Sequence, residues 1–228
     1  WVQRIRNLGA MKFIDLRDQY GVTQIVISDE EKFKSELEQI VTECVIQIVG
    51  NVVERAKNLY GIIPEIENRF SVRKFKKSAL DPEKLNRILE AGRFAPSAKN
   101  RQPWRFVVVD DPKLKEKISE AAYGQQHVKD AGAVIVACST NIEYLMPNGQ
   151  PSYPIDISFA VSFMMLQAEK EGYGSCVITT YNENSVMDTL TLPYSMRVVM
   201  LLAVGEADEE PKITDRKPTS QVISFNHW

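Results

Sequence analysis

The chain has 228 residues, of which 44% are hydrophobic and 25% are charged, an ordinary composition for a globular protein with a substantial core. Its 28 Lys and Arg against 30 Asp and Glu give a formal net charge of −2. This balance excludes a global basic field that would draw the protein onto nucleic acid or an anionic membrane. No apolar run approaches the ~20 residues that a membrane span requires.

The cysteines and the first residues bear on where the protein works. Cys44, Cys138 and Cys176 lie far apart in apolar runs without C-x-x-C spacing, which favours buried thiols in a reducing cytoplasm. The chain starts at Trp1 with neither an initiator Met nor the apolar segment of a signal peptide. We therefore expect a trimmed or partial chain of a cytoplasmic protein.

Residues 1–57 are predicted to form part of an OB-type β-barrel. WVQRIRNLG and MKFIDLRD alternate apolar with polar residues, and YGVTQIVIS follows a Gly turn, so three strands are expected. DEEKFKSELEQI places Phe33, Leu37 and Ile40 at helical spacing, and CVIQIVGNVVE returns to strand. Three strands, a helix and a further strand are the order of an OB barrel that lacks its fifth strand.

A second domain is expected over residues 58–228, because the strand pattern stops after Lys57 and is followed by the turn residues Gly61 and Pro64. Helices and strands alternate here without a GxGxxG loop, so a Rossmann dinucleotide site is not indicated. The tail from about residue 207 is polar, contains Pro and is predicted to be mostly irregular.

The elements of this domain follow from caps and apolar runs. Asp81 and Asp111, each followed by Pro, are typical helix N-caps, and Pro96 ends the first of these helices. AGAVIVACS is the continuous apolar run of a strand buried on both faces, and RFVVVD, SCVIT and MRVVMLLAVGE are further strands. PIDISFAVSFMMLQAEKEG is apolar nearly all round, which predicts a central buried helix that ends at Gly172. A short helix is expected from about Glu183 to Leu190.

Three cation-bearing stretches stand out as candidate binding groups: NRFSVRKF, APSAKNRQPWRF and TDRKP. His127 and His227 have no motif beside them, so no metal site is indicated. Neither a G-x-S-x-G elbow nor a Cys/His signature is present. If the protein is an enzyme, a cofactor therefore carries the chemistry, and no residue is assigned a catalytic role.

The residue types in these stretches indicate the kind of cofactor. Arg forks and hydroxyls bind phosphate at ~1.5–3 kcal/mol per charge-assisted bond, and Arg69, Ser71 and Arg216 supply them. Primary amides present both a donor and an acceptor to a polar-edged ring, and Asn100 and Gln102 supply these. Together they outline a mononucleotide, and FMN fits.

RFSVRKF, ILEAGRFAPSAKNRQPWRFVVVDD, GYGSCVI, DRKP and a terminal Trp occur in the order of the FMN-dependent nitroreductase family, which the chain resembles from about Ile63 to Trp228. The resemblance implies an α+β fold with a central, mostly antiparallel sheet flanked by helices. It also implies an obligate homodimer with two FMN sites at the subunit interface. Such enzymes pass a hydride from NADH or NADPH through flavin N5 to an acceptor such as a nitroaromatic or a quinone.

The resemblance also assigns residues. Arg69, Ser71 and Arg216 match phosphate-side positions, with Lys217 a neighbouring candidate. Arg73 matches a cation beside the flavin pyrimidine edge, where it would stabilise negative charge on the reduced ring. Further cofactor-site positions lie in the same motifs and near the flavin N5 edge: Phe70, Pro96, Ser97, Asn100, Gln102, Thr179 and Thr180. The Thr179-Thr180 pair departs from the family, where many members have Gly or Glu-Gly, and it can narrow the site or shift acceptor choice.

The first segment is similar to the anticodon-binding OB domain of aspartyl-tRNA synthetases over about Trp1 to Arg55. There Arg6, Phe13 and Gln24 match positions that stack on and hydrogen-bond anticodon bases. The closing strand and the synthetase catalytic domain are absent from this sequence. In residues 1–57 nine acidic residues outnumber eight basic ones, so we expect weak phosphate-driven affinity and regard nucleic acid as an unlikely partner.

Three functions are thus compared. The first is an FMN-dependent NAD(P)H oxidoreductase with no membrane partner. The second is an RNA-binding module through the N-terminal segment. The third is a specialised reaction on the same flavin fold, such as dehalogenation, flavin fragmentation or azoline oxidation, which the sequence leaves open.

Overall fold

The computed structural model describes residues 1–8, 11–18, 21–27, 33–50, 61–211 and 214–227. The chain divides into two compact units, Trp1–Arg55 and Ala56–Trp228. The predicted boundary between residues 57 and 58 lies outside the described residues.

The first unit contains a three-stranded antiparallel sheet, as predicted. Its strands are β1 (Val2–Leu8), β2 (Met11–Asp18) and β3 (Gly21–Ile27), in the order β1-β2-β3. Val2, Ile14 and Leu37 form a small buried cluster, with further apolar residues such as Ile5 and Ile25 packed against it. Ile5, Ile14 and Ile25 are cross-strand partners, so one face of the sheet supplies this core.

The rest of the first unit differs from its prediction. The expected helix is described only as α1 (Lys34–Leu37), and Phe33 is 44% exposed instead of sharing a buried stripe with Leu37. Residues 44–50 of the expected fourth strand do not form one, although Val2 donates its N–H to the carbonyl of Cys44 at 2.8 Å. The apolar pattern was insufficient: Cys44 and Ile46 pack against the small core without strand pairing, whereas Val45 and Val49 are largely exposed. Residues 29–32 and 51–54 of these predictions lie outside the described part.

The second unit is a three-layer α+β structure, with helices on both faces of one sheet. The strands are β4 (Trp104–Val109), β5 (Ala133–Ser139), β6 (Gly174–Ile178) and β7 (Arg197–Gly205). They pair antiparallel in the order β4-β5-β7-β6. The helices are α2 (Pro64–Asn68), α3 (Pro82–Arg93), α4 (Pro112–Ala121), α5 (Gln126–Asp130), α6 (Tyr153–Lys170) and α7 (Glu183–Leu190), with short 3-10 turns at Ala98–Asn100 and Thr219–Gln221.

The continuous apolar run of β5 is explained by its central position. Its residues alternate between two buried layers: Ile135 and Ala137 belong to the core that includes Ile88 of α3 and Met164 of α6. Val134 and Val136 belong to the core that includes helices α4, α5 and α7. A strand covered on both faces needs apolar residues at every position, and all seven residues of β5 are buried.

The N-caps predicted for α3 and α4 are present, whereas α6 differs from its prediction. Asp81 accepts from the N–H groups of Glu83 and Lys84, and Asp111 accepts from those of Lys113 and Leu114, as helix N-caps do. Helix α6 was predicted to be buried all round, and this is wrong on one face. Ile155, Phe159 and Phe163 are 40%, 47% and 40% exposed. Cys44 is half-buried, whereas Cys138 and Cys176 are buried as expected.

Candidate functional site

The segment containing Arg69, Ser71 and Arg73 lies along the outer edge of β6. Ser71 forms a parallel bridge with Ser175, and the N–H of Val72 donates to the carbonyl of Ser175 at 3.1 Å. Val72 is fully buried and Phe70 packs against the same core, so these two side chains face inward. Because side chains alternate along an extended segment, Arg69, Ser71 and Arg73 lie together on the opposite side.

The positive charges of this segment act on two buried or partly buried groups, Cys176 of β6 and Glu169 of α6. Burial raises the pKa of the Cys176 thiol, and the nearby Arg73 and Arg69 partly oppose that rise. Burial likewise raises the pKa of Glu169, and Arg69 again opposes it. The Glu209 carboxylate accepts from the backbone N–H of Arg73 at 2.5 Å and from that of Lys74 at 3.1 Å, which fixes the backbone of the segment from its other end.

Three residues in the loop from Pro96 to Gln102 have a left-handed backbone conformation. Lys99, Asn100 and Gln102 have φ values of 54°, 53° and 50°, which cost roughly 1–2 kcal/mol each for residues other than glycine. Ser97 Oγ accepts from the backbone N–H of Gln102 at 2.9 Å, and Gln102 Nε2 donates to Asn100 Oδ1 at 3.1 Å. These contacts leave the Ser97 hydroxyl proton, Asn100 Nδ2 and Gln102 Oε1 available for a ligand.

A buried carboxylate of α6 supports the loop. Asp156 is 2% exposed, and its Oδ1 accepts from the N–H of Ala98 at 2.8 Å. Asp156 Oδ2 and Ser152 Oγ are buried without a hydrogen-bond partner. Both residues border a cavity of about 220 Å³, which is also lined by Pro96, Ser97, Ala98, Met146, Ile155 and Phe159. Our sequence analysis missed Asp156, although a single charge in the apolar run PIDISFAV was a usable signal.

The two cations of the loop are held by an aromatic ring. The Arg101 guanidinium lies 3.6 Å from the centre of the Tyr144 ring, and Lys99 Nζ lies 5.6 Å from it. A hydrogen bond from Arg101 is the main cause that lowers the pKa of Tyr144. These cation–π contacts tie the solvent side of the loop to residues 140–152.

Thr179 and Thr180 are exposed and directly follow β6. The Thr180 carbonyl accepts from Gln125 Nε2 at 2.9 Å, which places the start of α5 beside this pair. On α5, His127 Nε2 is buried without a partner. Burial lowers the pKa of His127, and Arg73 lowers it further. The positive charge of Arg73 therefore acts on His127, a relationship that no sequence motif indicated.

The C-terminal candidates stand apart. Arg216 and Lys217 are exposed, and Arg216 Nη1 donates to the carbonyl and Oγ1 of Thr214. Among the described residues, the hydrogen bonds form two groups of candidates, residues 69–73 beside β6 and residues 96–102 beside α6, and none links these groups or joins Arg216 to either within one chain. Residues 212–213, which precede this pair, lie outside the described part.

The strand register brings the three candidates of the first unit to neighbouring positions of its sheet. Arg6 and Phe13 are direct cross-strand partners, and Gln24 pairs with Asp15, two residues along β2 from Phe13. Gln24 Nε2 donates to Asp15 Oδ1 at 3.1 Å. Phe13 is only 3% exposed, so its ring is not available for stacking on a base in this conformation.

Among the described residues, no three His, Cys, Asp or Glu side chains are grouped so that they could hold a metal ion. None of their helices combines the length and the apolarity needed to cross a membrane.

Comparison with known proteins agrees with this architecture. The sequence profile of the Nitroreductase family matches residues 66–153 and 124–206, which together cover more than half of the chain. An NADH dehydrogenase from Thermus thermophilus is 30% identical over 186 residues, 68% of this chain and 91% of the relative. An FMN-dependent nitroreductase structure from Clostridium difficile R20291 superposes with a TM-score of 0.64 at 28% identity, covering 72% of this chain and 98% of that one. The chain belongs to the nitroreductase family, as its motifs predicted.

The first segment has relatives of its own. The profile of the OB-fold nucleic acid binding domain matches residues 1–69. An aspartate–tRNA ligase from Thermosipho africanus is 52% identical over 58 residues, which are 25% of this chain and 10% of that enzyme. The predicted N-terminal OB fold is confirmed at the level of family, and the chain carries only a tenth of the ligase.

Proposed function

We propose that this chain is an FMN-dependent oxidoreductase that passes a hydride from NADH or NADPH to a small acceptor such as a nitroaromatic or a quinone. The observation that carries the proposal is the bridge between Ser71 and Ser175, which aligns Arg69, Ser71 and Arg73 on one side of an extended segment. Membership of the nitroreductase family and the names of its relatives support the same reading.

The described residues fit a phosphorylated, polar-edged ring. Arg69 and Ser71 supply the cation and the hydroxyl that a phosphate needs, at about 1.5–3 kcal/mol per charge-assisted bond. Asn100 and Gln102 retain one donor and one acceptor group after their own hydrogen bond is counted.

FMN, when bound, would supply hydride acceptance and donation, because amino-acid side chains do not carry out this chemistry. The residues of the chain would bind, orient and shield it. Arg73 would stabilise negative charge at the neighbouring edge of the ring, and the loop containing Asn100 would fix ring orientation. Thr179 and Thr180 would limit the space in which an acceptor can approach.

A homodimer is part of the proposal. Ile155, Phe159 and Phe163 repeat every four residues and form one exposed apolar stripe on α6. Ile155 and Phe159 also line the cavity beside Ser97 and Ala98, so the stripe adjoins the loop of the candidate site. A second copy that covers the stripe would bring its own residues next to this loop, consistent with FMN sites at a subunit interface.

The colour of the purified protein tests the function. The oxidised flavoprotein should be yellow, with an absorbance band at about 450 nm supplied by the cofactor. NADH or NADPH should bleach the band without oxygen, and an acceptor should restore it. Steady-state turnover on a panel of nitroaromatics, quinones and halogenated phenols separates ordinary reduction from a specialised reaction. A colourless protein that takes up no added FMN would reject the proposal.

The first unit supports a second candidate function, binding of unpaired RNA. The strand register that makes Arg6, Phe13 and Gln24 neighbours favours it, and the burial of Phe13 counts against it. Titration with a tRNA at two salt concentrations tests the idea. Salt-dependent binding that is weakened by Gln24→Ala and retained by the matched variant Gln39→Ala would support it, whereas no binding would reject it.

A further inference from the structure

The Asp156 carboxylate has no local reason to be buried. It is the only charged residue between Tyr153 and Gln167 of α6, and its neighbours Ile157 and Ala160 are fully buried. A buried carboxylate is costly unless it makes strong hydrogen bonds, and the N-terminal end of a helix offsets part of this cost. The described protein contact of Asp156 Oδ1 is with the N–H of Ala98, at 2.8 Å.

We propose that Asp156 is a positioning residue for the cofactor loop. By accepting the N–H of Ala98, its carboxylate anchors Ser97 and the turn through Asn100 and Gln102 to the rigid start of α6. This inference rests on the proposed function, because it assumes that the loop contacts FMN.

The hydrogen bonds of the loop are mostly internal, and the Tyr144 ring holds its solvent side, so Asp156 is the contact that ties Ala98 to α6. Lys99, Asn100 and Gln102 are all left-handed, and all three residues are exposed. A strained and exposed segment relaxes unless the surrounding structure fixes it. A relaxed loop has to be reordered when the cofactor binds, so the apparent affinity falls by the fraction of molecules in which the loop is in the binding conformation.

The test compares two ways of removing one hydrogen bond in the full chain. Asp156→Ala removes the acceptor, and Ala98→Pro removes the donor. Proline is tolerated at position 98 because Ser97 already has the extended φ of −143° and ψ of 157° that a residue before proline adopts. Each variant should raise the FMN dissociation constant at least about tenfold, measured by quenching of flavin fluorescence.

Two matched variants separate positioning from stability. Asp156→Asn keeps an oxygen acceptor for Ala98 and should stay within about threefold of the wild-type dissociation constant. Asp111→Ala removes the N-cap of α4, so it should lower the thermal midpoint of the FMN-free protein without changing FMN affinity. An Asn variant as weak as the Ala variant would overturn the proposal.

The double variant gives the sharpest outcome. Since both changes remove the same bond, Asp156→Ala with Ala98→Pro should bind FMN as weakly as either single variant, and multiplied effects would overturn the proposal. If Asp156→Ala does not fold, Ala98→Pro and Asp156→Asn decide the result by themselves. Wild-type protein that binds no FMN contradicts the proposed function instead. If the wild-type protein binds FMN and the Ala98→Pro variant binds it equally tightly, the positioning role is rejected and the proposed function stands.

Discussion

Gly174, the first residue of β6, packs directly against Val72: a Cβ atom at Gly174 would lie 2.4 Å from Cγ2 and 3.0 Å from Cβ of Val72. Val72 is fully buried and β-branched, so it has little freedom to move aside. The missing side chain at position 174 therefore allows the segment with Arg69, Ser71 and Arg73 to lie against the sheet edge.

Gly174→Ala should destabilise the protein and displace this segment. Overpacking of a buried site costs about 1–3 kcal/mol in the free energy of unfolding, and the shift of Val72 should also weaken FMN binding. Urea unfolding and flavin titration measure the two effects. Adding Val72→Ala should relieve the clash. The double variant should therefore lose less free energy of unfolding than the two single variants lose together. Gly50→Ala is the control, since no atom lies within 4 Å of the added carbon.

Arg69 is predicted to bind the cofactor phosphate. Arg69→Ala should raise the FMN dissociation constant by about 10- to 100-fold, the value of one or two charge-assisted bonds. Equilibrium ultrafiltration of the flavin measures it. Arg105→Ala is the matched control, because Arg105 is an exposed arginine whose Nη1 donates to the Trp104 carbonyl. Equal FMN retention by both variants would remove Arg69 from the site.

The apolar stripe of α6 is predicted to be the homodimer interface. Phe159→Asp places a charge in the centre of the stripe, so sedimentation equilibrium should show monomers where the wild type shows dimers. FMN should be lost together with the dimer if the site lies at the interface. Tyr123→Asp serves as the control. Tyr123 is also an exposed aromatic residue, but it follows α4 and is not part of the apolar stripe of α6. A wild-type monomer with bound FMN would contradict the interface and leave the cofactor assignment standing.

The three thiols should react at very different rates. Burial raises the pKa of Cys138 to about 11 and also raises that of Cys176, so neither forms much thiolate at mildly basic pH. Cys44 is half-buried. Alkylation of the native protein, followed by mass spectrometry of peptides, should label Cys44 at least about ten times faster than the others. Urea should equalise the rates, and Cys44→Ser should leave the native protein nearly unlabelled. Rapid native labelling of Cys176 would contradict the burial of β6.

The elements that could be predicted from the sequence are those specified locally. Asp81 and Asp111 predicted the starts of helices α3 and α4, because an N-cap side chain binds backbone N–H groups only two and three residues further on. The run AGAVIVACS predicted β5 because a strand covered on both faces requires apolar residues throughout. The motif RFSVRKF supplied Arg69, Ser71 and Arg73 as candidates, but their alignment on one side follows from the bridge between Ser71 and Ser175, which the sequence did not predict.

The features that escaped prediction depend on distant parts of the chain. Helix α6 is apolar all round, and sequence periodicity cannot tell a face buried in this chain from one left open, as at Phe159. Asp156 supports Ala98 across 58 positions, and Arg73 acts on the pKa of His127 from a distant part of the sequence. The segment 44–50 resembles a strand in its apolar pattern, and Cys44 and Ile46 do pack against the small core, but Val45 and Val49 are largely exposed and no strand forms.

The pair formed by Arg87 and Glu171 links α3 to the end of α6 and sets a pH dependence. Arg87 Nε and Nη2 donate to Glu171 Oε1 and Oε2 at 2.8 and 2.9 Å, and Gln167 Nε2 donates to Oε1 at 2.7 Å. The hydrogen bonds from Arg87 are the largest cause that lowers the pKa of Glu171 from 4.5 to about 2. The unfolded chain therefore binds more protons than the folded protein between these two values.

Stability from this pair should be complete above pH 4.5 and should be lost as the pH falls through about 2. Arg87→Met removes the donors but keeps an apolar stem, so the pKa of Glu171 should rise toward its usual value. The difference in free energy of unfolding between wild type and variant should be largest near neutral pH and should shrink as the solution is acidified. Urea unfolding at several pH values measures it. Glu83→Gln is the control, because Glu83 is exposed and its carboxylate approaches Arg87 no closer than 4.0 Å. This variant should keep the pH dependence of the wild type. A difference that grows on acidification would contradict the assignment.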